Sequence, residues 1–146
     1  NNELVAIMTF GSPRKAIGKN KADIDNSWEL IRFCNKINTH IIGSASKLLK
    51  YFINLHHPKH IYSFADNRWS HSINNVYSVL GFTKTSENKG YWYTKDFKSR
   101  LHRYNFNKYE LKKQGYDITK TEKQIMNELG YFPIWDCGTT RFELYV

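Results

Sequence analysis

The 146-residue chain has only two cysteines, no long apolar run and no metal-ligand pattern. Cys34 and Cys137 stand far apart and match neither a CxxC pair nor a zinc spacing, so a disulfide framework or zinc ribbon is not indicated. Both lie in apolar, strand-like contexts that predict two buried thiols in a reducing cell, with a single disulfide between them left open. No apolar stretch approaches the ~20 residues that cross a bilayer. The chain opens Asn1-Asn2-Glu3 and passes straight into a strand-like run, which predicts no signal peptide. Opening on a strand also suggests that earlier elements of the fold lie upstream. His56, His57, His60 and His71 have no acidic or thiol partner at ligand spacing, so no metal is expected. Internal repeats and low-complexity linkers are missing too.

What is present describes one folded, basic domain. The chain is 40% hydrophobic and 16% aromatic, which argues against disorder, and its formal net charge is +9. Residues 1–88 carry 11 Lys/Arg against 6 Asp/Glu, a net of +5. Residues 89–124 carry 10 against 4, a net of +6 in 36 positions, and residues 125–146 carry 1 against 3. Charge concentrated in this way suits phosphate neutralisation; a solvated lysine-rich surface is the plainer alternative.

The periodicities predict an α/β (α+β) fold. Residues 4–10 read as a buried strand, and 28–34 as a second strand antiparallel to it, with Trp28, Leu30, Arg32 and Cys34 on one face. Ala45, Leu48, Leu49, Phe52 and Ile53 form a helical stripe, closed by His56-His57-Pro58. Residues 60–65 then return as a strand, so strand, helix and strand predict parallel pairing. A short helix over 74–80 ends at Gly81, and 82–86 and 91–93 read as a hairpin around 87–90. Further on, Gly115 ends a short helix, Thr119 to Glu122 resembles a capping box, and a helix follows to Gly130. Residues 131–137 and 141–146 read as a terminal hairpin turning at Gly138-Thr139. The expected division is a core over 1–94 and a basic helical and hairpin appendix over 95–146, packed on the same domain.

Chemistry concentrates at the turn entering the first helix. Gly43 lets the backbone approach a ligand, Ser44 or Ser46 can cap the helix, and the free N–H groups there suit an anion. The loop His40-Ile41-Ile42-Gly43-Ser44-Ala45, followed by a strand and the Tyr77-to-Phe82 segment, resembles the central part of the GNAT N-acyltransferase fold over residues 3–94. The loop is similar to that family's pyrophosphate loop, and residues 77–82 to its "Y-x-x-x-G-F" element. The resemblance implies a GNAT-like mixed sheet with packed helices, and acetyl-CoA or another acyl-CoA at His40, Ile42, Gly43, Ser44, Ala45 and Ser46. His40 stands where the family usually has Arg or Gln, and the family's first strand and helices have no counterpart. Residues 29–32, 42–46, 62–66 and Tyr77 resemble Mom-type phage DNA-modification proteins more closely. Arg100 to Lys108, Thr121-Glu122 and Ile134-Trp135-Asp136-Cys137-Gly138 extend the likeness to modules at the C-terminal end of phage homing-type endonucleases.

That resemblance implies a duplex-DNA-binding module, joined to a nuclease elsewhere in the polypeptide, in the cytoplasm of a phage-infected or prophage-bearing bacterium. The alternative is an acyl-CoA-dependent N-acyltransferase acting on a nucleobase amine or on a small-molecule or protein amine. No PD-(D/E)xK-like set, HNH cluster or GIY-YIG run occurs, so no nuclease chemistry is expected in this chain. Asp66 is a candidate general base or a plain turn cap, and Tyr77 a candidate proton donor to a thiolate or a packing aromatic. Arg32 is a candidate phosphate ligand or an ion-pair partner of Asp66. Arg68 is a further candidate DNA contact, and Trp69 beside it either stacks on a base or plugs its helix against the sheet. Lys98, Arg100, Arg103, Lys108, Lys112 and Lys113, interleaved with Tyr104 and Phe106, are the candidate phosphate contacts; on a helix, Arg100 and Arg103 would share a face.

Overall fold

A computed structural model describes residues 3–13, 26–70 and 74–146. In chain order its elements are β1 (Ala6–Gly11), β2 (Ser27–Asn35), α1 (Ser44–His56), β3 (His60–Asp66), α2 (Asn67–Ser70), α3 (Val76–Val79), β4 (Thr83–Asn88), β5 (Tyr91–Thr94), β6 (Leu101–His102), a 3-10 turn (Arg103–Phe106), α4 (Lys108–Lys113), α5 (Glu122–Glu128), β7 (Phe132–Trp135) and β8 (Thr139–Tyr145). The architecture is α+β, as expected. Two compact units form, one of residues 1–87 with 139–146 and one of residues 88–138. The boundary therefore falls after Glu87 rather than after residue 94, and the last strand belongs to the first unit. Among the described residues no helix is long and apolar enough to cross a membrane.

The first unit is a five-stranded mixed sheet in the order β1-β2-β3-β8-β4. β1 and β2 are antiparallel, β2 and β3 are parallel across α1, and β3 and β8 are antiparallel along their whole length. Side chains alternate across a sheet, and the cross-strand rows show what each face holds. Trp28, Ile61 and Leu144 form an apolar row that packs into the cluster with Leu49 and Phe52 of α1. The rows on either side, Ser27–His60–Tyr145 and Glu29–Tyr62–Glu143, face the other way. The α1 stripe buries Leu49 and Phe52, and Phe52 stacks on Phe10 at 3.5 Å between ring centroids. Burying such a side chain contributes roughly 1.5–3 kcal/mol. α1 stops where His57 turns left-handed at φ 46°, just before Pro58.

Four expectations fail here, since periodicity reports a face but not a pairing partner. β1 pairs Thr9 with Arg32 but Phe10 with Leu30, so Ile31 is an extra residue in the ladder. Such a bulge turns the rest of its strand over. Arg32 and Cys34 consequently lose the face they would have shared with Trp28 and Leu30, and both are exposed. Cys137 is exposed as well, and both thiols are free, so neither is buried. The 87–90 turn closes no hairpin, because β4 lies beside β8 while β5 joins the other sheet. Residues 131–137 and 141–146 likewise part company, β7 pairing with β5 and β8 with β3.

The second unit is a three-stranded antiparallel sheet, β6-β5-β7, over a small core of Tyr93, Leu111, Ile125 and Met126. Its capping box lies two residues later than expected: Thr121 Oγ1 accepts from Gln124 N at 3.3 Å, and Gln124 Oε1 accepts from Thr121 N at 2.8 Å. Thr119 is occupied with Asp117. Asp136 links the unit's two ends, its carboxylate accepting from Gly90 N at 2.9 Å and Gly138 N at 2.8 Å. A Cβ at position 90 would collide with that carboxylate.

Candidate functional site

The turn into α1 forms an anion-ready helix end. Gly43 is the N-cap at φ 75°, a conformation that favours glycine, and no side chain caps the helix. Ser44 is diverted: its hydroxyl donates to Asn35 Oδ1 of β2 at 3.3 Å instead. The first helical bond runs from Lys47 N to Gly43 O, so the Ala45 and Ser46 N–H groups precede it and have no intrahelical acceptor. Around this helix end lies a cavity of about 270 Å³, lined by residues 40–46 together with Phe33, Asn35, Val76 and Val79 of α3, and Leu80 just after it. His40, Ile42, Gly43, Ser44, Ala45 and Ser46, the six residues expected to hold a cofactor, thus meet around one space. The Ile31 bulge is what aims Phe33 and Asn35 into it. A second cavity of about 390 Å³ shares Ser46, Val79 and Leu80 with the first and continues along α1 to Leu144 and Val146. The donor set at the first cavity, helix N–H groups with apolar walls, fits a phosphate attached to an elongated organic group.

β2 and β3 separate part-way along their length. Their parallel ladder covers only Ser27–Glu29 against His60–Tyr62, although both strands run on. Where the ladder stops, a side chain replaces it: Ser63 Oγ donates to the Leu30 carbonyl at 2.7 Å. Tyr77 places its hydroxyl 3.2 Å from the same Ser63 oxygen. A serine has one proton to give, and here it goes to a carbonyl, so the Tyr77 proton points at Ser63. The Tyr77 ring stacks on Phe142 at 4.7 Å and is steadied by Asn75, whose side chain caps α3. Tyr77 thus packs against the core and also presents a hydroxyl where the strands part.

Asp66 and Arg32 do not meet. Asp66 ends β3 and accepts from Arg68 N at 2.8 Å and from the Arg68 guanidinium at 2.7 Å. These bonds hold its carboxyl below the usual carboxylate range, which weakens it as a proton acceptor at neutral pH. Arg68, a candidate phosphate contact, is thereby drawn toward Asp66, although its side chain remains largely exposed. Trp69 is 81% exposed and plugs nothing. One group of residues escaped attention in the sequence, the row Glu29–Tyr62–Glu143 with His60 and Arg141 beside it. Glu29, Tyr62 and His60 are buried, Arg141 pairs with Glu143 at 2.5 Å, and its guanidinium lies 5.1 Å over the Tyr62 ring. The signal that could have revealed it was charge on alternate positions of apolar strands. Among the described residues no three His, Cys, Asp or Glu side chains gather closely enough to hold a metal, and His71 lies outside the described residues.

The candidate phosphate contacts fall in the second unit, and they are not equivalent. Lys98, Arg100, Lys108, Lys112 and Lys113 are exposed and make no ion pair among the described residues. Arg103 is different. Its Nε donates to Glu122 at 3.3 Å and its guanidinium lies 4.6 Å over the Tyr91 ring. Arg100 precedes β6 whereas Arg103 opens the 3-10 turn, so the two do not share a helix face. Phe106 packs on the Tyr93 ring, while Tyr104 is exposed.

No family model matches the chain, and no curated protein matches it either.

Proposed function

We propose that this chain is a DNA-binding module, built on a GNAT-like core and engaging duplex DNA through residues 88–138. The observation that carries the reading is the set of exposed, unpaired cations Lys98, Arg100, Lys108, Lys112 and Lys113 in one 51-residue unit. No nearby acid, Glu110 of α4 included, forms an ion pair with them among the described residues. Asp96 accepts from Lys98 N and from Ser99, Asp117 from Thr119, and Asp136 from two glycine amides. Glu122 serves two tyrosines and Arg103, and Glu128 pairs with Lys120. Cations held free of carboxylates can neutralise phosphates and release counterions. The setting this reading implies is a phage-encoded polypeptide with a separate nuclease domain, working in a bacterial cytoplasm.

Titration of duplex DNA by fluorescence anisotropy at two salt concentrations tests it. Five phosphate contacts weaken binding by roughly 10²–10³-fold between about 50 and 200 mM salt. Absence of binding, or affinity indifferent to salt, rules the reading out.

A second reading, acyl-CoA-dependent N-transfer, is favoured by one specific observation. All six residues expected at the cofactor line a single cavity at a helix end that no side chain caps. In that reading the Ala45 and Ser46 amides bind the pyrophosphate, the gap between β2 and β3 receives the thioester arm, and Tyr77 supplies the nearby hydroxyl. The bound acyl-CoA would supply the acyl group. Calorimetry with acetyl-CoA should then show saturable binding that Gly43→Glu abolishes, and a flat titration removes this reading.

A further inference from the structure

We propose that Phe97 and Phe132 form a stacking platform for a nucleobase that is out of its duplex, which makes the second unit a reader of unpaired DNA as well as of phosphate. The inference rests on the DNA-binding reading and adds a ligand class to it.

The observation begins with the backbone. Phe97 has φ 58°, a left-handed conformation that an aromatic residue adopts rarely. A wired turn holds it there. Phe97 N donates to Thr94 Oγ1 at 2.9 Å, and Thr94 is fully buried. Asp96 Oδ1 accepts from Lys98 N at 3.0 Å, from Ser99 N at 2.9 Å and from Ser99 Oγ at 2.8 Å. The turn leaves the Phe97 ring 73% exposed. Beside it stands Phe132, the first residue of β7 and 47% exposed, with ring centroids 5.5 Å apart and planes inclined by 21°. The two near-parallel rings stack on each other, Phe132 backing Phe97 from its strand, and the outer face of the Phe97 ring is left as a flat apolar surface.

Charge decides what suits that surface. Lys95, Lys98 and Arg100 flank Phe97 in sequence, exposed and without a carboxylate partner among the described residues, Lys95 Nζ lying 5.5 Å from the Tyr131 ring centroid. The single acid between them, Asp96, accepts three hydrogen bonds inside the turn and stays ionised, which leaves three cations against one anion. The occupant should therefore be flat, apolar on its face and attached to anionic groups. A nucleobase on a phosphodiester strand has those properties. In a duplex both faces of each base are covered by its neighbours, so only an unstacked base can present one.

The test uses the full 146-residue chain with an oligothymidylate and, separately, a duplex of equal length. Phe97→Gly is the main variant, because glycine accepts the left-handed backbone and the turn stays folded. It should weaken oligothymidylate binding about 5- to 100-fold with an unchanged salt slope, and leave duplex affinity as it was. Phe97→Trp should retain binding, and its indole fluorescence should be quenched when oligothymidylate is added. If Phe97→Gly binds both DNAs like the parent, or weakens both equally, the platform is refuted and the duplex reading stands. If the parent chain binds neither DNA, both fall.

Discussion

Glu122 organises the second unit from a single position. Its carboxylate is only 15% exposed and accepts from Tyr91 Oη at 3.0 Å, from Tyr93 Oη at 3.2 Å and from Arg103 Nε at 3.3 Å. Burial, reinforced by the Glu122 charge, pushes the Tyr93 phenol well above its ordinary range, so it remains a donor at every physiological pH. Glu122→Ala removes the acceptor that Tyr91 and Tyr93 share and should cost about 1–3 kcal/mol in urea unfolding. Arg103→Ala removes a half-exposed ion pair and should cost less than about 1 kcal/mol. Equal losses for the two variants would show that Glu122 acts through the ion pair and not through the tyrosines. Asp96 contributes to the acid sensitivity together with Asp66 and Asp117, whose carboxyls are also lowered. Hydrogen bonds, chiefly from Ser99 N and then from Lys98 N, lower the Asp96 carboxyl to about 2. A carboxylate depressed in the folded state stabilises above its unfolded value of about 3.9, and that contribution is lost as pH falls toward about 2. Thermal melts from pH 5 to about 2 should therefore decline more gently for Asp96→Asn than for the parent chain.

Among the elements, α1 was the most legible in the sequence. Its stripe, its glycine entry and its stop before Pro58 all come from local rules, and the helix runs from Ser44 to His56 accordingly. The parallel β2–α1–β3 unit follows from the same reasoning. The β2 faces were not legible, because nothing in the run from Trp28 to Cys34 announces that Ile31 will be skipped by the partner strand. Half of the candidate site depends on that skip, since it sends Phe33 and Asn35 to the Gly43 cavity and Arg32 away from Asp66. The hairpin expected at 87–90 failed for a related reason. The strand beside β4 is β8, more than fifty residues later, and no local signal reaches that far. The end of α1 offers a test of local strain. His57 occupies a left-handed position whose cost for a residue with a Cβ is about 1–2 kcal/mol, while its bonds there are made by backbone atoms: His57 N to Ile53 O, and Asn26 Nδ2 to His57 O. His57→Gly keeps both bonds and should raise stability by about 1 kcal/mol, or roughly 2–4 °C in Tm for a chain of this size. A lower Tm would mean that the His57 ring makes contacts outweighing the strain.

For the molecule as a whole, the question is how a net charge of +9 is divided between structure and surface. Composition located the excess in residues 89–124 but could not separate cations that hold the fold from those left free. Arg100 and Arg103 show the limit, because in sequence they are two arginines three apart in one aromatic-rich segment. In the structure Arg103 is bound to Glu122 and lies over Tyr91, whereas Arg100 meets no acid among the described residues. A counterion-release slope counts only charges that reach phosphate, at about 0.9 per contact on duplex DNA. Arg100→Ala should therefore reduce the slope of log K against log salt by roughly 0.9. Arg103→Ala should move it far less, because its charge is already matched by Glu122. Lys84→Ala should also leave the slope nearly unchanged, since Lys84 is paired with Glu87. If all three variants lower the slope alike, DNA is sensing net charge and no particular surface, and the choice of residues 88–138 as the contact region would have to be abandoned.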